Sequence, residues 1–473
     1  LRRSSAASDV YKRQESLMPR FEETEEFEKH SEIPMSLYQF EAYKNIRVNE
    51  IETEEGIRKS KRRKGKKSNT EELYNNDSTS TYRIFSRQYC NFVFPINIKR
   101  PLPRDGIEST ILNQLEQNEN DQTNLNDEEY EEDPEYLLNK SDKLSYMDKK
   151  YKALKLLKES DQKYLSRDNL STYSPKFLKI LDNLDDVNNK GCHLVYSQFK
   201  HLEGLGIFSL VLEENGYYPF LLKTVNKELV LDIPSNIKNL KDVKGKFYTI
   251  YSGNDKETIR NIYNSNWDTL NETLKSQLKQ IHNNNYYGEI IKIFMITQRG
   301  AEGINLKNTK FVHIMEPYWH PVRTDQVLGR ARRIGSHLEL PKEDQTVTKF
   351  TYVMKLPTNI NMKEISTKLF TNDMSQFTES DIPFTSDQTL FETSNNKKKI
   401  MNQLLENVKQ SAIDCTIHSE EKDKCFILDD SSKYTYNPNI KNDKEDKDRL
   451  TDVNTKKIKG KKLIDKENNI TYI

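Results

Sequence analysis

Residues 293–337 read IFMITQRGAEGINLKNTKFVHIMEPYWHPVRTDQVLGRARRIGSH. Two apolar runs of strand length, IIKIFMIT (290–297) and KFVHIMEP (310–317), flank a connection that contains Gly300 and Gly303. A helix bearing Gln326, Gly329, Arg330 and Arg333 follows. Its two arginines stand three residues apart, so they share one face. Guanidiniums placed that way suit a polyphosphate, because each forks several donors toward anionic oxygens and never loses its charge. The glycines let a backbone approach a phosphate closely and free its N–H groups to bind it.

Working outward, the texture of alternating strands and helices extends from about residue 149 to 357. YKALKLLKES and SPKFLKILDNL have helical spacing, and HLVYSQF (193–199) is a β-rich strand ending in Ser197 and Gln198. HLEGLGIFSLVLEENGY reads as a helix capped by Gly216, KFYTIYSG (246–253) as a strand, ETIRNIYNS as a helix and TVTKFTYVMKL as a last strand. Such alternation predicts an α/β lobe over about 170–357, a parallel sheet with helices on both faces. Its motif loops are expected to converge on one rim, at the carboxyl ends of the strands, with Thr297 and Arg330 facing one cleft.

The flanks read differently. Residues 1–14 resemble translated adapter sequence, and they are set aside as a probable artefact. Residues 15–148 read as an insertion or linker, partly disordered, within which MSLYQFEAYKNIRVNEIE forms an amphipathic helix with Leu37, Phe40 and Tyr43 on one side. The run KSKRRKGKK (59–67) is either a solvated linker or a phosphate-contacting or nuclear-import segment. TYRIFSRQYCNFVFP (81–95) is apolar enough to be anchored on something folded, and 114–146 is Asn/Asp/Glu-rich and mobile. Beyond 357, a helical extension to about 430 carries a stripe of Ile400, Leu404, Val408 and Ala412, and 431–473 reads as a disordered tail.

Composition agrees with a core confined to part of the chain. Of 473 residues, only 34% are hydrophobic and 31% are charged, so the length alone overstates the folded mass. The 74 basic and 73 acidic side chains cancel, and any polyanion partner must be met by local patches. Cys90, Cys192, Cys415 and Cys425 form no CxxC pair, which fits a reducing compartment. No apolar run approaches membrane-spanning length and no signal peptide is visible, so the expectation is a soluble intracellular protein.

In order and spacing, LVYSQF, YSGN with Arg260, ITQRGAEGINL and QVLGRARRIGSH resemble motifs IV to VI of superfamily 2 helicases, in the Swi/Snf form. Thr297, Gly300, Gly303, Asn305 and Leu306 fall at motif V positions; Gln326, Gly329, Arg330 and Arg333 at motif VI positions. Two departures stand out. The family has an acid where this chain has Thr324, with Asp325 one later, and remodellers usually carry His at the position of Arg332. With SRQYCNFVFP and SAIDC, these differences resemble helicases of giant nucleocytoplasmic DNA viruses, distantly related to poxvirus nucleoside triphosphatase I.

The resemblance implies a RecA-like second lobe working with ATP and Mg²⁺, both held mainly by a first lobe. Neither a GxxxxGK[ST] phosphate loop nor a DEAD- or DEAH-type box occurs in the chain, so it is expected to be a C-terminal part that hydrolyses no ATP alone. Arg330 and Arg333 would be arginine fingers, and Gln326 would position nucleotide or water. Gly300, Gly303, Asn305 and Gly329 would line the nucleotide side. Ser197, Gln198, Thr297 and Arg299 would touch the backbone of DNA or RNA. The expected setting is viral transcription or replication, with the viral transcription machinery as an expected partner, in the host cytoplasm, virion or nucleus. Two rival readings are a non-catalytic RecA-like scaffold and a fragment of a cellular chromatin remodeller. Cys415, His418 and Cys425 read as free thiols and a histidine rather than a zinc site, because no fourth ligand is evident. Trp319 and His320 read as a loop anchor, with base stacking the alternative.

Overall fold

A computed structural model describes residues 17–22, 24–63, 83–101, 140–234, 237–253, 255–298, 303–412, 463–465 and 470–472. The chain divides into two compact units, residues 12–394 and a smaller one of 1–11 with 395–473.

The larger unit is built on seven parallel strands: β1 (Glu28–Pro34), β2 (Cys192–Tyr196), β3 (Tyr218–Pro219), β6 (Phe247–Ile250), β7 (Ile291–Ile296), β8 (Thr309–Ile314) and β9 (Thr348–Lys355). They lie in the order β1-β9-β8-β2-β7-β6-β3. A separate antiparallel hairpin, β4 (Leu222–Val225) and β5 (Glu228–Leu231), follows β3. Every residue of β2 is buried, as parallel strands covered on both faces require.

Alternation divides the sheet into two faces. Leu194, Tyr196, Phe294, Ile296, Val312 and Ile314 point to one core. That core is closed by α7 (Lys256–Tyr263), α8 (Glu272–Ile281) and α9 (Pro321–Ala331). Val195, Ile293, Met295, Tyr352 and Met354 point to the other. There the covering helices are α1 (Leu37–Arg63), α2 (Ile84–Asn91), α3 (Lys140–Lys158), α4 (Arg167–Tyr173), α5 (Pro175–Asp185) and α6 (Leu205–Glu214). Two short helical elements complete the chain order, α10 (Thr367–Asn372) and the start of α11 (Ser386–Ser411). α5 begins where the sequence signals it: Pro175 occupies the first turn and Ser174 Oγ accepts from Phe177 N at 3.1 Å. Gly204 is required by a close approach, since a Cβ there would stand 1.9 Å from the Phe199 carbonyl oxygen.

The lobe is larger than 170–357. β1 pairs with β9 through seven residues in register, from Glu28 with Lys349 to Pro34 with Lys355. α1 buries Phe40 and Tyr43, although Leu37 is turned out to 63% exposure. The apolar stretch near 81–95 is buried as α2 and its exit, with Cys90 and Phe92 in the core. Polarity disguised these segments: β1 is EKHSEIP, an edge strand whose one apolar side chain, Ile33, is buried. What ties α1 and α2 down is ionic as well as apolar. Arg47 and Arg83 both reach the buried Asp373, at 3.0 and 2.7 Å, and Glu50 accepts from the backbone of Phe85 and Ser86.

In the smaller unit, the described residues are Asn395–Ala412, with Ile400, Leu404 and Val408 about three-fifths exposed, and an antiparallel pair of strands, Leu463–Asp465 with Ile470–Tyr472. The residues of the possible thiol and histidine cluster, Cys415, His418 and Cys425, the basic run beyond residue 63, and most of 431–473 lie outside the described residues.

Candidate functional site

At the carboxyl ends of the central strands, β2, β7 and β8 deliver Ser197, Thr297 and Glu316 side by side. Ser197 N donates to the Ile296 carbonyl at 3.2 Å, and Met315 N to that of Tyr196 at 3.0 Å. Ser197 and Gln198 are turned inward. Ser197 Oγ donates to Glu316 Oε1 at 2.7 Å, and the Gln198 backbone N–H donates to Oε2 at 3.0 Å. Asn91 Nδ2 adds a third bond to Glu316 at 2.5 Å. A fully buried carboxylate needs such partners, and of the pair expected to face nucleic acid Ser197 supplies its hydroxyl and Gln198 its backbone N–H. Burial raises the Glu316 pKa, opposed by the Lys176 ammonium and these hydrogen bonds. Lys176 in turn binds Asn91 Oδ1 at 2.8 Å and Asp387 Oδ2 at 2.6 Å. Thr297 is half-buried on this edge, and Arg299 and Gly300 lie outside the described residues.

The other half of the motif set lies at the opposite edge. α9 starts beyond the carboxyl end of β8, with Pro321 in its first turn and Val322 N capped by His320 Nδ1 at 3.2 Å. It must feed β9, a parallel strand, so it runs back across the sheet and ends at the amino edge. There the Arg330 carbonyl accepts from Leu306 N at 3.3 Å, and Ser336 O from Asn308 N at 2.9 Å, just before β8 begins. The expectation of a single rim is therefore corrected. Gly303, Asn305, Arg330 and Arg333 gather at the amino edge, Thr297 leaves the carboxyl edge, and the β7–β8 connection (297–308) joins the two.

The amino-edge group is held from below by a residue that the sequence reading passed over. Asn264, closing α7, donates from Nδ2 to the Asn305 carbonyl at 2.9 Å and accepts from Lys307 N at 2.8 Å. Gly303, at φ +69°, and Asn305 are exposed. Gly329 has open space where a Cβ would stand. Gln326 is exposed; Arg330 and Arg333 are half-buried, and Arg333 Nε donates to the Gly329 carbonyl at 3.4 Å. Both missed residues carried a faint signal: Asn264 directly follows an amphipathic helix, and Glu316 is an acid at the end of an otherwise apolar strand.

Residues 247–335 match the helicase conserved C-terminal domain. The chain is similar to a termination factor NPH-I homolog of African swine fever virus, 34% identical over 38% of this chain and 26% of that protein. It is similar to a putative ATP-dependent RNA helicase of Acanthamoeba polyphaga mimivirus, 24% identical over 88% of this chain and 46% of that one. A second mimivirus protein of the same description matches at 31% over 39% of this chain and 26% of its own length. The chain thus spans less than half the length of these relatives. Within the parallel-sheeted lobe, then, residues 247–335 are similar to a helicase C-terminal domain, and the chain is similar to viral proteins described as a termination factor and as ATP-dependent RNA helicases.

Proposed function

We propose that the chain is the C-terminal half of an ATP-dependent helicase or translocase that acts on nucleic acid in viral transcription or replication. The observation that carries this reading is the Leu306–Arg330 backbone bond, which sets the motif V turn and the two motif VI arginines at one edge. The relatives described as a termination factor and as ATP-dependent RNA helicases support the same activity and a role in viral gene expression.

Polyphosphate fits the amino edge. Half-buried Arg330 and Arg333 share this edge with the exposed Gly303 and Asn305, and a Cβ at Gly329 would meet open space. When bound between lobes, ATP supplies the free energy by phosphoryl transfer to water. Arg330 and Arg333 would neutralise the charge that develops on the transferring group, and Gln326 would orient nucleotide or water. Gly300, Gly303 and Asn305 would present backbone to the phosphates. Mg²⁺, like most of the nucleotide's contacts, would be held mainly by a preceding lobe, as the resemblance implies. At the carboxyl edge Thr297 would contact the sugar-phosphate backbone of DNA or RNA, a role proposed for Arg299 as well, while Ser197 and Gln198 shape that edge through Glu316.

In the intact protein, Arg330→Ala and Arg333→Ala should each lower ATP turnover by a factor of order 10² while the melting temperature is kept. Unchanged turnover in both variants would reduce motif VI to a basic surface and overturn the motor reading.

A further inference from the structure

Arg332 stands between the two candidate fingers, one residue past the end of α9, where its N–H closes the helical ladder on the Leu328 carbonyl at 2.9 Å and no helical bond continues beyond it. Its side chain turns away from the nucleotide edge toward the N-terminal part of the chain. Arg332 Nε donates to the Pro19 carbonyl at 3.3 Å, and the guanidinium carbon lies 5.8 Å from the centre of the Phe21 ring. The same short segment is stitched to the loop after α9 and to the start of β9. Gly335 N donates to the Leu17 carbonyl at 3.0 Å, Arg20 N to Gln345 O at 2.8 Å, and Val347 N to Arg20 O at 3.0 Å.

We propose that Leu17–Phe21 forms a clasp on the exit of α9 and that Arg332 is a positioning residue that holds Arg330 and Arg333 in register through it. This rests on the proposed role of those two arginines. The last turn of α9 is anchored on two sides: Leu306 N holds the Arg330 carbonyl, and the clasp holds Arg332 and Gly335. The backbone carrying both fingers therefore has one arrangement. Arginine suits the position because one planar group supplies a directed N–H to a carbonyl and a flat face to a ring; lysine keeps the charge and N–H donors but lacks the planar group that meets both at once. The clasp lies upstream of β1, so a pull on this segment reaches the fingers without passing through the sheet.

Two variants test this, Arg332→Lys and Phe21→Ala, with the double variant. On residues 1–473, hydrogen exchange at Gly335 and Val347 should accelerate in each, with little change at Leu194 or Val312 in the central strands. In the intact protein with its preceding lobe, each single variant should lower kcat about tenfold with KM for ATP unchanged, as misplaced groups do. The double variant should be no worse than the worse single one, because the two residues act through one contact. Unchanged exchange would refute the clasp. Faster exchange with wild-type kcat, or additive losses, would leave the clasp structural and overturn the positioning role. An intact wild-type protein without ATPase activity would overturn the motor reading and the positioning role together, while exchange would still decide whether the clasp exists.

Discussion

Single side chains in this lobe do their work by being fully partnered, and the clearest case is a file of hydrogen bonds across three strands. His193 Nε2 faces the Asn189 carbonyl at 3.1 Å and must donate. Its Nδ1 therefore accepts from His313 Nε2 at 2.9 Å; His313 Nδ1 accepts from Tyr352 OH at 2.8 Å, and that oxygen accepts from Asn183 Nδ2 at 2.8 Å. Only neutral imidazoles fit this pattern. Burial lowers the pKa of both histidines: His193, with His313 and Lys292 adding like charge, falls well below its ordinary value, and His313, with Lys292 adding like charge, falls to about 3. His337, buried between Ser336 and the Thr309 carbonyl, is lowered to about 4 in the same sense. The unfolded chain then binds more protons than the folded one below pH of about 6.5. Stability is full above that pH and is lost as pH falls toward the folded values, by up to about 1.4 kcal/mol per pH unit for each histidine. Urea midpoints should fall between pH 7 and 5, and His313→Gln, which keeps a donor and an acceptor without a charge, should flatten the fall. An equally steep fall in that variant would show that carboxylates elsewhere govern the acid limb.

Elements show where sequence was legible and where it was not. β2, β6, β7, β8 and β9 were readable because buried parallel strands leave unbroken apolar runs. The motif VI helix was readable from Gln326, Gly329, Arg330 and Arg333, since chemistry fixed their spacing. β1 was not: an edge strand that buries one face half-way carries no such run. The inward turn of Ser197 was hidden too, because its partner Glu316 lies 119 residues away. The same long range hid Arg332, whose meaning depends on Pro19 and Phe21. An expression product starting at about residue 150 should consequently be insoluble or unfolded by circular dichroism, because β9 loses one of its two neighbours and becomes an open edge, and the core loses Phe40, Tyr43 and Phe92. Within the intact chain, Phe40→Ala alone should cost about 3–5 kcal/mol in urea unfolding. A well-folded product from 150 onward would mean that the N-terminal helices are an accessory layer.

At the scale of the molecule, the chain spans 26% to 46% of the relatives compared above, and its proposed chemistry needs a lobe it does not contain. Residues 1–473 alone should hydrolyse ATP at the background rate, with or without DNA or RNA, and regain activity when the preceding lobe is joined. Nucleic-acid-stimulated hydrolysis by the chain alone would sink that division of labour. The two edges themselves are linked by the β7–β8 connection, and its covalent length now matters. Strands of six residues are about 20 Å long, and β8 lies two strand spacings from β7, so the path from Thr297 to Leu306 is about 22 Å. Nine residue steps reach at most about 32 Å; deleting Arg299–Ala301 leaves six, about 21 Å. A hairpin tip such as Asn226–Lys227 can take in extra residues at little cost, but this leash has a floor beneath which the fold cannot close.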